Sequence, residues 1–226
     1  MIGIDGEDTR SGRQHVRTLR SHWTRPIGPR GYYWFLTFEK SPELRSLAKR
    51  CQGSIDFPFY DLTPPGSLHL TLDRISYFGE ISPDQLSSIE NSAVLACHSV
   101  MPFNITIDRL SGVRSAVAFD VSPAQRIDIL RDVLRSATLS AYPDARLNSS
   151  KPHPPHITIA YANSDGVSAA DAMAAVDRMN ETIRGVDVKV AEALMVLLER
   201  RQRSYSWQVL SKISFAENGN PEISAD

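Results

Sequence analysis

The sequence contains the same short pattern twice, at His69-Leu70-Thr71-Leu72 and at His156-Ile157-Thr158-Ile159. Each copy alternates a polar residue with an aliphatic one, which is typical of a β-strand with one buried face. Residues two apart in a strand point to the same side, so each histidine lies beside its threonine, roughly 6–7 Å along the strand. Both segments are therefore predicted to be strands with one apolar face and one face that carries an imidazole and a hydroxyl.

Two such strands facing each other would bring a complete acid–base set into one cleft. Imidazole gives and takes protons near pH 7, so one ring can activate a water or a ribose hydroxyl while the other protonates a leaving oxygen. The threonine hydroxyls can donate hydrogen bonds to the non-bridging oxygens of a phosphate. This chemistry, an in-line displacement at phosphorus, requires no metal ion and no other cofactor.

Charge and composition limit the class of partner. The 226 residues have a formal net charge of −1 and a pI near 6.6, which argues against wrapping long nucleic acid and leaves an RNA end or a small nucleotide. No apolar run reaches the ~18–20 residues of a membrane span, and the chain starts without an apolar signal segment. A cytoplasmic, monomeric protein with no membrane partner is expected. Cys97 falls on an apolar helical stripe, which favours a buried free thiol over a disulfide with Cys51.

The same order of elements is predicted twice along the chain. A polar arm over 1–30 precedes a domain over 31–215, and a loose tail covers 216–226. The first half has an aromatic strand at 32–38, helices opened by Ser-Pro pairs at 41–42 and 82–83, the His69 strand between them, and a strand at 102–110. The second half has a strand at 116–121, a Ser-Pro helix start at 122–123, the His156 strand and a helix from Ser168. Strands at 187–198 and 204–213 complete the domain.

The spacing of these features indicates an internal duplication. The first Ser-Pro helix starts, the histidines and the next helix starts are separated by 81, 87 and 86 residues respectively. We predict an α+β fold with mainly antiparallel sheets, in which two repeated units, about 31–110 and 111–213, pack with pseudo-two-fold symmetry. A duplicated unit of this kind would set the two histidine strands face to face.

The motifs resemble those of a known family. Pro65 to Leu72 and Lys151 to Ala160 resemble the two motifs of the 2H phosphoesterase superfamily, specifically its bacterial 2′-5′ RNA ligase / RNA 2′,3′-cyclic phosphodiesterase group. The segment from Leu197 to Trp207 is similar to the family's final hairpin, less specifically. The resemblance covers about residues 31–213. It implies a bilobal fold, with two mainly antiparallel sheets flanked by helices around a central cleft. It also implies the cleavage or formation of 2′-linked phosphoesters, by hydrolysis or as a reversible 2′-5′ RNA ligase.

The resemblance also implies roles for individual residues. His69 and His156 would be the acid–base pair, and Thr71 and Thr158 would contact the phosphate. The family usually has a serine where this chain has Glu199, and a carboxylate facing the cleft would repel phosphate.

Other residues are candidates for substrate contact, each with an ordinary structural alternative. Tyr205 and Arg203 on the last hairpin, and Lys151 before the second motif, are candidate phosphate contacts that otherwise face solvent. Weaker candidates are Arg114, Tyr161 and the arginines at 10, 13, 17, 20, 25 and 30, whereas Arg200 and Arg201 are predicted to form a solvated turn. His15, His22 and His98 are given no functional role, and His153 is placed at the cleft rim or in a loop.

Two rival functions remain open on the sequence alone. One is a non-catalytic RNA or nucleotide-binding module on the same fold, against which two intact acid–base motifs argue. The other is a metal-dependent hydrolase. His153 and His156 have a spacing that would suit two metal ligands on a helix, but Pro154 and Pro155 disfavour a helix there.

Overall fold

The structure is a computed structural model that describes residues 18–24, 26–145, 147 and 154–216. Within these residues it is an α+β protein with two antiparallel sheets and four α-helices, which confirms the predicted fold class. In chain order the elements are β1 (Arg30–Thr37), α1 (Pro42–Ser54), β2 (Tyr60–Leu62), β3 (His69–Tyr77), α2 (Pro83–Cys97), β4 (Phe103–Ser111), β5 (Ala116–Ser122), α3 (Ala124–Ala141), β6 (His156–Ala162), α4 (Ala170–Thr182), β7 (Val186–Val190), β8 (Glu192–Arg200) and β9 (Tyr205–Ser214).

The first sheet has the strand order β3-β1-β8-β9 and carries the first motif at its edge. Helices α2 and α3 pack together and cover one of its faces. The buried Trp34 belongs to that covered face, and its indole Nε1 donates to the Thr138 hydroxyl of α3 at 3.1 Å. The opposite face has a small apolar cluster of its own, with Phe35, Leu194 and Val196 buried at its centre. That second face is the one that presents His69.

The second sheet has the order β2-β6-β5-β4-β7 and carries the second motif one strand from its edge. Helices α1 and α4 pack on its outer side. Asn180 interrupts the apolar stripe of α4, and its amide binds the backbone of β4. The amide accepts from the Leu110 N–H at 2.8 Å and donates to the Leu110 carbonyl at 3.0 Å. The helix is thereby fixed to the end of β4 without leaving these polar groups unpaired.

Each of the two sheets contains strands from both halves of the chain. β4 from the first half lies in the second sheet, and β8 and β9 from the end of the chain lie in the first. The prediction of a single strand at 187–198 is wrong, because this segment forms two strands. One ends just before Ala191 and the next begins just after it. β7 pairs with β4 and β8 pairs with β1, so the chain passes from one sheet to the other at Ala191.

The helix starts follow the Ser-Pro pattern with small shifts. At α2 the capping box is complete, because the Ser82 hydroxyl accepts from the Gln85 N–H and the Gln85 side chain accepts from the Ser82 N–H. Ser41 occupies the N-cap of α1 without a side-chain bond. α4 begins two residues later than predicted, at Ala170. Both cysteines are free and buried, as expected for Cys97, and burial raises the pKa of each thiol to about 11.

The described part of the N-terminal arm lies against the domain. Leu19 is buried, its N–H donates to the Val167 carbonyl at 2.7 Å, and Thr18 forms an isolated bridge with Ser168. A 3₁₀ turn follows at His22–Thr24. None of the described helices is both long and apolar enough to cross a bilayer.

Candidate active site

His69 is held in one orientation at the start of β3. Its Nδ1 lies 3.0 Å from the Ser67 carbonyl oxygen. Its ring stacks on Phe35 with centroids 4.7 Å apart and contacts Trp207 at 4.9 Å. A carbonyl oxygen only accepts, so Nδ1 carries the hydrogen and Nε2 is left as the basic nitrogen. His69 is therefore an imidazole with a fixed tautomer on an apolar floor.

His156 repeats this arrangement on β6. Its Nδ1 lies 2.9 Å from the Pro154 carbonyl oxygen, which is again the carbonyl two residues earlier in the chain. Its Nε2 is therefore also the nitrogen available for proton transfer. The two environments differ in burial, because the His156 side chain is exposed whereas His69 lies between aromatic rings.

The two imidazoles are near neighbours, as the duplication predicted. Strands β3 and β6 contact each other, and a positive charge on His156 lowers the pKa of His69. Burial is the largest cause of that lowered pKa, and the hydrogen bond to the Ser67 carbonyl opposes it. Burial disfavours the charged form of an imidazole, so His69 is neutral at pH 7 and ready to accept a proton.

A titration of the histidine rings should show the lowered pKa of His69 directly. We expect the pKa of His69 to lie below the ordinary value of 6.5, because burial and the nearby His156 charge both disfavour the imidazolium. The measurement is an NMR titration of the histidine ring signals, with His69→Ala identifying the resonance. A His69 pKa above 6.5 would contradict the assignment of its environment.

A register shift follows the threonine in both motif strands. Leu72 has no partner between the pairs Phe35–Thr71 and Trp34–Asp73, and Ile159 has none between Ala118–Thr158 and Val117–Ala160. An extra residue reverses the alternation of faces beyond it. On β6 this brings Tyr161 to the face of Thr158, whose hydroxyl is near enough to oppose the raised pKa of the Tyr161 phenol. The same irregularity at matched positions is structural support for the predicted repeat.

The two threonines have different surroundings. Thr158 is buried beside the Tyr161 phenol, whereas Thr71 is exposed. Burial and the neighbouring Tyr205 raise the pKa of Tyr161, and the Thr158 hydroxyl opposes them. Tyr161 is therefore a neutral phenol at pH 7. A hydroxyl pair of this kind beside an imidazole suits the binding of a phosphate oxygen.

A small cavity of about 60 Å³ opens beside His69. One wall is the segment from Asp61 to Pro64 together with Ser67, and the other is the segment from Arg203 to Tyr205 together with Trp207. Tyr161 also lines it. Using roughly 10–15 Å³ per water in this measure, the space holds about four to six water molecules. The cavity is large enough for a phosphate group and far too small for a nucleotide chain.

The candidate residues of the last hairpin are placed as follows. Tyr205 lines the cavity, and its hydroxyl lies 2.8 Å from His22 Nε2. Arg203 also lines the cavity, where its guanidinium lies 3.6 Å from the Asp61 carboxylate. Lys151 and His153 are outside the described residues. Arg114 is exposed, and its carbonyl accepts from the Arg20 N–H at 2.8 Å.

Arg200 is buried where the sequence predicted a solvated turn, and Glu199 lies on the opposite face of β8. The prediction of a solvated Arg200 is wrong, since the residue is 6% exposed and its Nη1 donates to the Pro26 carbonyl at 2.6 Å. Val196 and Leu198 belong to the apolar cluster beneath His69. Alternation along β8 puts Arg200 on that same face and Glu199 on the other, where it approaches Arg201 at 3.8 Å. The carboxylate thus does not face the cleft.

Sequence reasoning missed three residues at this site. His22 stacks on Tyr161 with centroids 4.3 Å apart, and Trp23 contacts Tyr161 at 5.1 Å and Tyr205 at 5.5 Å. Asp61 accepts from the Trp23 indole N–H at 2.8 Å. The only available signal was the pair of aromatic rings in an otherwise polar arm. Among the residues with described positions, no group of three His, Cys, Asp or Glu side chains could hold a metal ion.

A comparison with protein-family models matches residues 59–201 to the 2′-5′ RNA ligase superfamily. This chain belongs to that superfamily. The matched region spans both motif strands and reaches the end of β8, the first strand of the last hairpin. It thus covers the part of the resemblance that carries the two histidines. A comparison with curated proteins gives no match.

Solved structures share the superfamily fold. The protein TT0787 of Thermus thermophilus superposes with a TM-score of 0.60 at 18% identity, over 84% of this chain and 100% of that one. The apo form of LigT from Escherichia coli has the same TM-score and identity, over 84% of this chain and 99% of that one. The crystal structure of a phosphoesterase superposes with a TM-score of 0.57 at 18% identity, over 85% of this chain and 100% of that one. At this identity the superpositions establish the fold alone. Part of this chain lies outside the superposed region.

Proposed function

We propose that this protein is a metal-independent phosphoesterase that acts on 2′,3′-cyclic phosphates or 2′-5′ phosphodiesters, at RNA ends or in small nucleotides. The observation that carries the proposal is the pair of neighbouring imidazoles whose Nδ1 atoms are both fixed by a carbonyl two residues earlier. Two basic Nε2 atoms of defined direction are what in-line displacement at phosphorus requires. The proposal includes a monomeric, cytoplasmic enzyme, as the sequence predicts.

His69 serves as the base in hydrolysis and His156 as the acid. The neutral His69 takes a proton from water, whose oxygen forms a bond to phosphorus. The bond from phosphorus to one ribose oxygen breaks, and protonated His156 gives its proton to that oxygen. In ligation the 5′-hydroxyl of a second ribose takes the place of water. His69 accepts its proton, its oxygen bonds to the phosphorus of the cyclic phosphate, and the bond from phosphorus to the 3′ oxygen breaks as His156 protonates that oxygen, which yields a 2′-5′ linkage.

The hydroxyls beside the histidines bind the phosphate. Thr71 and Thr158 lie two residues after the histidines, and the phenols of Tyr161 and Tyr205 border the cavity. Hydrogen bonds to a charged oxygen are worth about 1.5–3 kcal/mol each. The similar structures support a nucleotide as substrate, since LigT crystals were obtained with 3′-AMP, with ATP and with phosphate.

A turnover panel tests this proposal. The purified protein is incubated with 2′,3′-cyclic nucleotides, RNA ending in a cyclic phosphate, and 2′-5′ oligoadenylates, and the position of the product phosphate is recorded. We expect turnover of at least one class and full activity in EDTA, because both proton transfers use imidazole alone. Nucleotide binding without turnover across the panel would favour a binding module, and a requirement for added metal would contradict the mechanism.

A further inference from the structure

The N-terminal arm crosses from one sheet to the other at the cavity. On one side His22 and Trp23 contact Tyr161 of β6, and Trp23 donates to Asp61 of β2. On the other side His22 is hydrogen-bonded to Tyr205 of β9. Backbone bonds of Leu19 with Val167 and Gly166 hold the start of this segment in place. The two arm residues therefore connect the two walls between which the phosphate would bind.

These contacts hold in place the end of the cavity that is farther from His69. The walls run from Asp61 and Arg203 at one end to His69 and Trp207 at the other, with Tyr205 on the Arg203 wall. Asp61 is bonded by the Trp23 indole, by the Asn163 amide at 3.0 Å and by Arg203. Its carboxylate is thus held in place from three directions.

Arg200 supports the arm from beneath. Its guanidinium carbon lies 5.6 Å from the Trp23 ring, and it donates to the Pro26 carbonyl. The indole is thus surrounded by Tyr161, Tyr205, His22 and Arg200. The indole thus packs behind Tyr161, Tyr205 and Asp61, which line the cavity, and it supports them without serving as a stacking platform for a nucleobase.

We propose that His22 and Trp23 determine specificity by holding the two walls together at this end of the cleft, so that the enzyme acts on a terminal phosphate and not on an internal linkage. An internal 2′-5′ phosphodiester needs room for a nucleoside on both sides of the phosphorus. Only about 60 Å³ is available between His69 and the Asp61–Arg203 end. The nucleoside of a terminal cyclic phosphate extends the other way, towards the exposed Thr71 and His156. This inference rests on the proposed function and narrows its substrate class.

His22 and Trp23 hold opposite walls of the cavity, so both are required for the proposed specificity. Trp23 holds the Asp61 side of the wall and His22 holds Tyr205 on the other side. Loss of either removes one of the contacts that join the two walls at this end, whereas the histidines and threonines on β3 and β6 keep their places. Substitution should therefore alter the choice of substrate more than the rate on a terminal cyclic phosphate.

The experiment compares kcat/KM for a 2′,3′-cyclic mononucleotide with kcat/KM for a 2′-5′-linked triadenylate. We expect the wild type to prefer the cyclic substrate and Trp23→Ala or His22→Ala to reduce that preference about tenfold or more, the range of a wall contact in a pocket. Ile27→Ala is the matched control, because Ile27 is also in the arm but 63% exposed. Its preference should equal that of the wild type.

Conservative variants distinguish the loss of a single wall contact from a general loosening of the arm. Trp23→Phe keeps a ring but loses the bond to Asp61, and His22→Gln keeps an amide within reach of Tyr205. Should the alanine variants melt below the assay temperature, these two decide the matter, with a lowered preference expected for Trp23→Phe and a retained one for His22→Gln. An unchanged preference in every folded variant would overturn the inference, as would a wild type that favours the triadenylate.

Failure of the proposed function gives a different result. A wild type without turnover refutes the phosphoesterase proposal but leaves the wall testable by calorimetry with 2′-AMP and the triadenylate. The ratio of the two dissociation constants should then change in the same variants, and a constant ratio would overturn the inference.

Discussion

Replacement of His69 or His156 by alanine should lower kcat on a 2′,3′-cyclic phosphate by about 10²–10⁴ for each residue. Each Nδ1 is occupied by a backbone carbonyl, so each ring contributes a single basic nitrogen to the cleft. Without that nitrogen, either the attacking water or the leaving oxygen loses its proton-transfer partner. The double variant should be close to inactive, with less than the product of the two losses, because the residues act as a unit.

Steady-state kinetics of the single and double variants measure this effect. His98→Ala is the matched control, since His98 is an exposed histidine at the end of α2 and takes no part in the cleft. It should retain full activity. Circular dichroism melting verifies that the variants are folded. Full activity in the double variant would exclude the two-histidine mechanism, and a loss confined to KM would indicate binding instead of proton transfer.

The motif strands could be predicted from sequence because their signals are local. Alternation of polar and aliphatic residues defines a strand and its faces over four residues. The capping box at Ser82 is equally local, since both of its bonds lie within three residues. The distance between the copies then indicated a duplication, and the register shifts after Thr71 and Thr158 agree with it. Local pattern and repeat spacing together were enough for the fold class.

The remaining features depend on contacts between residues far apart in the chain. No glycine or proline near Ala191 marks the passage from the second sheet to the first. β7 alternates valine with charged residues and β8 is a continuous apolar run, but the partners that separate them lie about 80 and 160 residues earlier in the chain. Arg200 resembles the solvated Arg201 beside it, and only the returning arm at Pro26 buries it. His22 and Trp23 acquire their role in the same way, through Tyr205 and Asp61.

Phe35→Ala should be the most costly substitution beneath the site. Phe35 is fully buried at the centre of the apolar cluster and stacks on the His69 ring. Removal of a buried phenyl ring costs about 3–5 kcal/mol of unfolding free energy, through lost burial and the cavity that remains. Urea unfolding followed by circular dichroism measures this. A loss below about 1 kcal/mol would show that the cluster does not support the first sheet.

The same variant tests how the apolar floor controls His69. Burial is the main cause of the lowered His69 pKa, so water admitted by Phe35→Ala should raise that pKa towards 6.5. A histidine with a lowered native pKa binds fewer protons folded than unfolded, so its contribution to stability is complete above pH 6.5 and declines as the pH falls below it. Phe35→Ala should weaken that decline. Phe35→Leu is the control, because it keeps most of the apolar volume and should leave the His69 pKa low. If both variants keep the wild-type pKa, the cause of the shift lies elsewhere than in this floor.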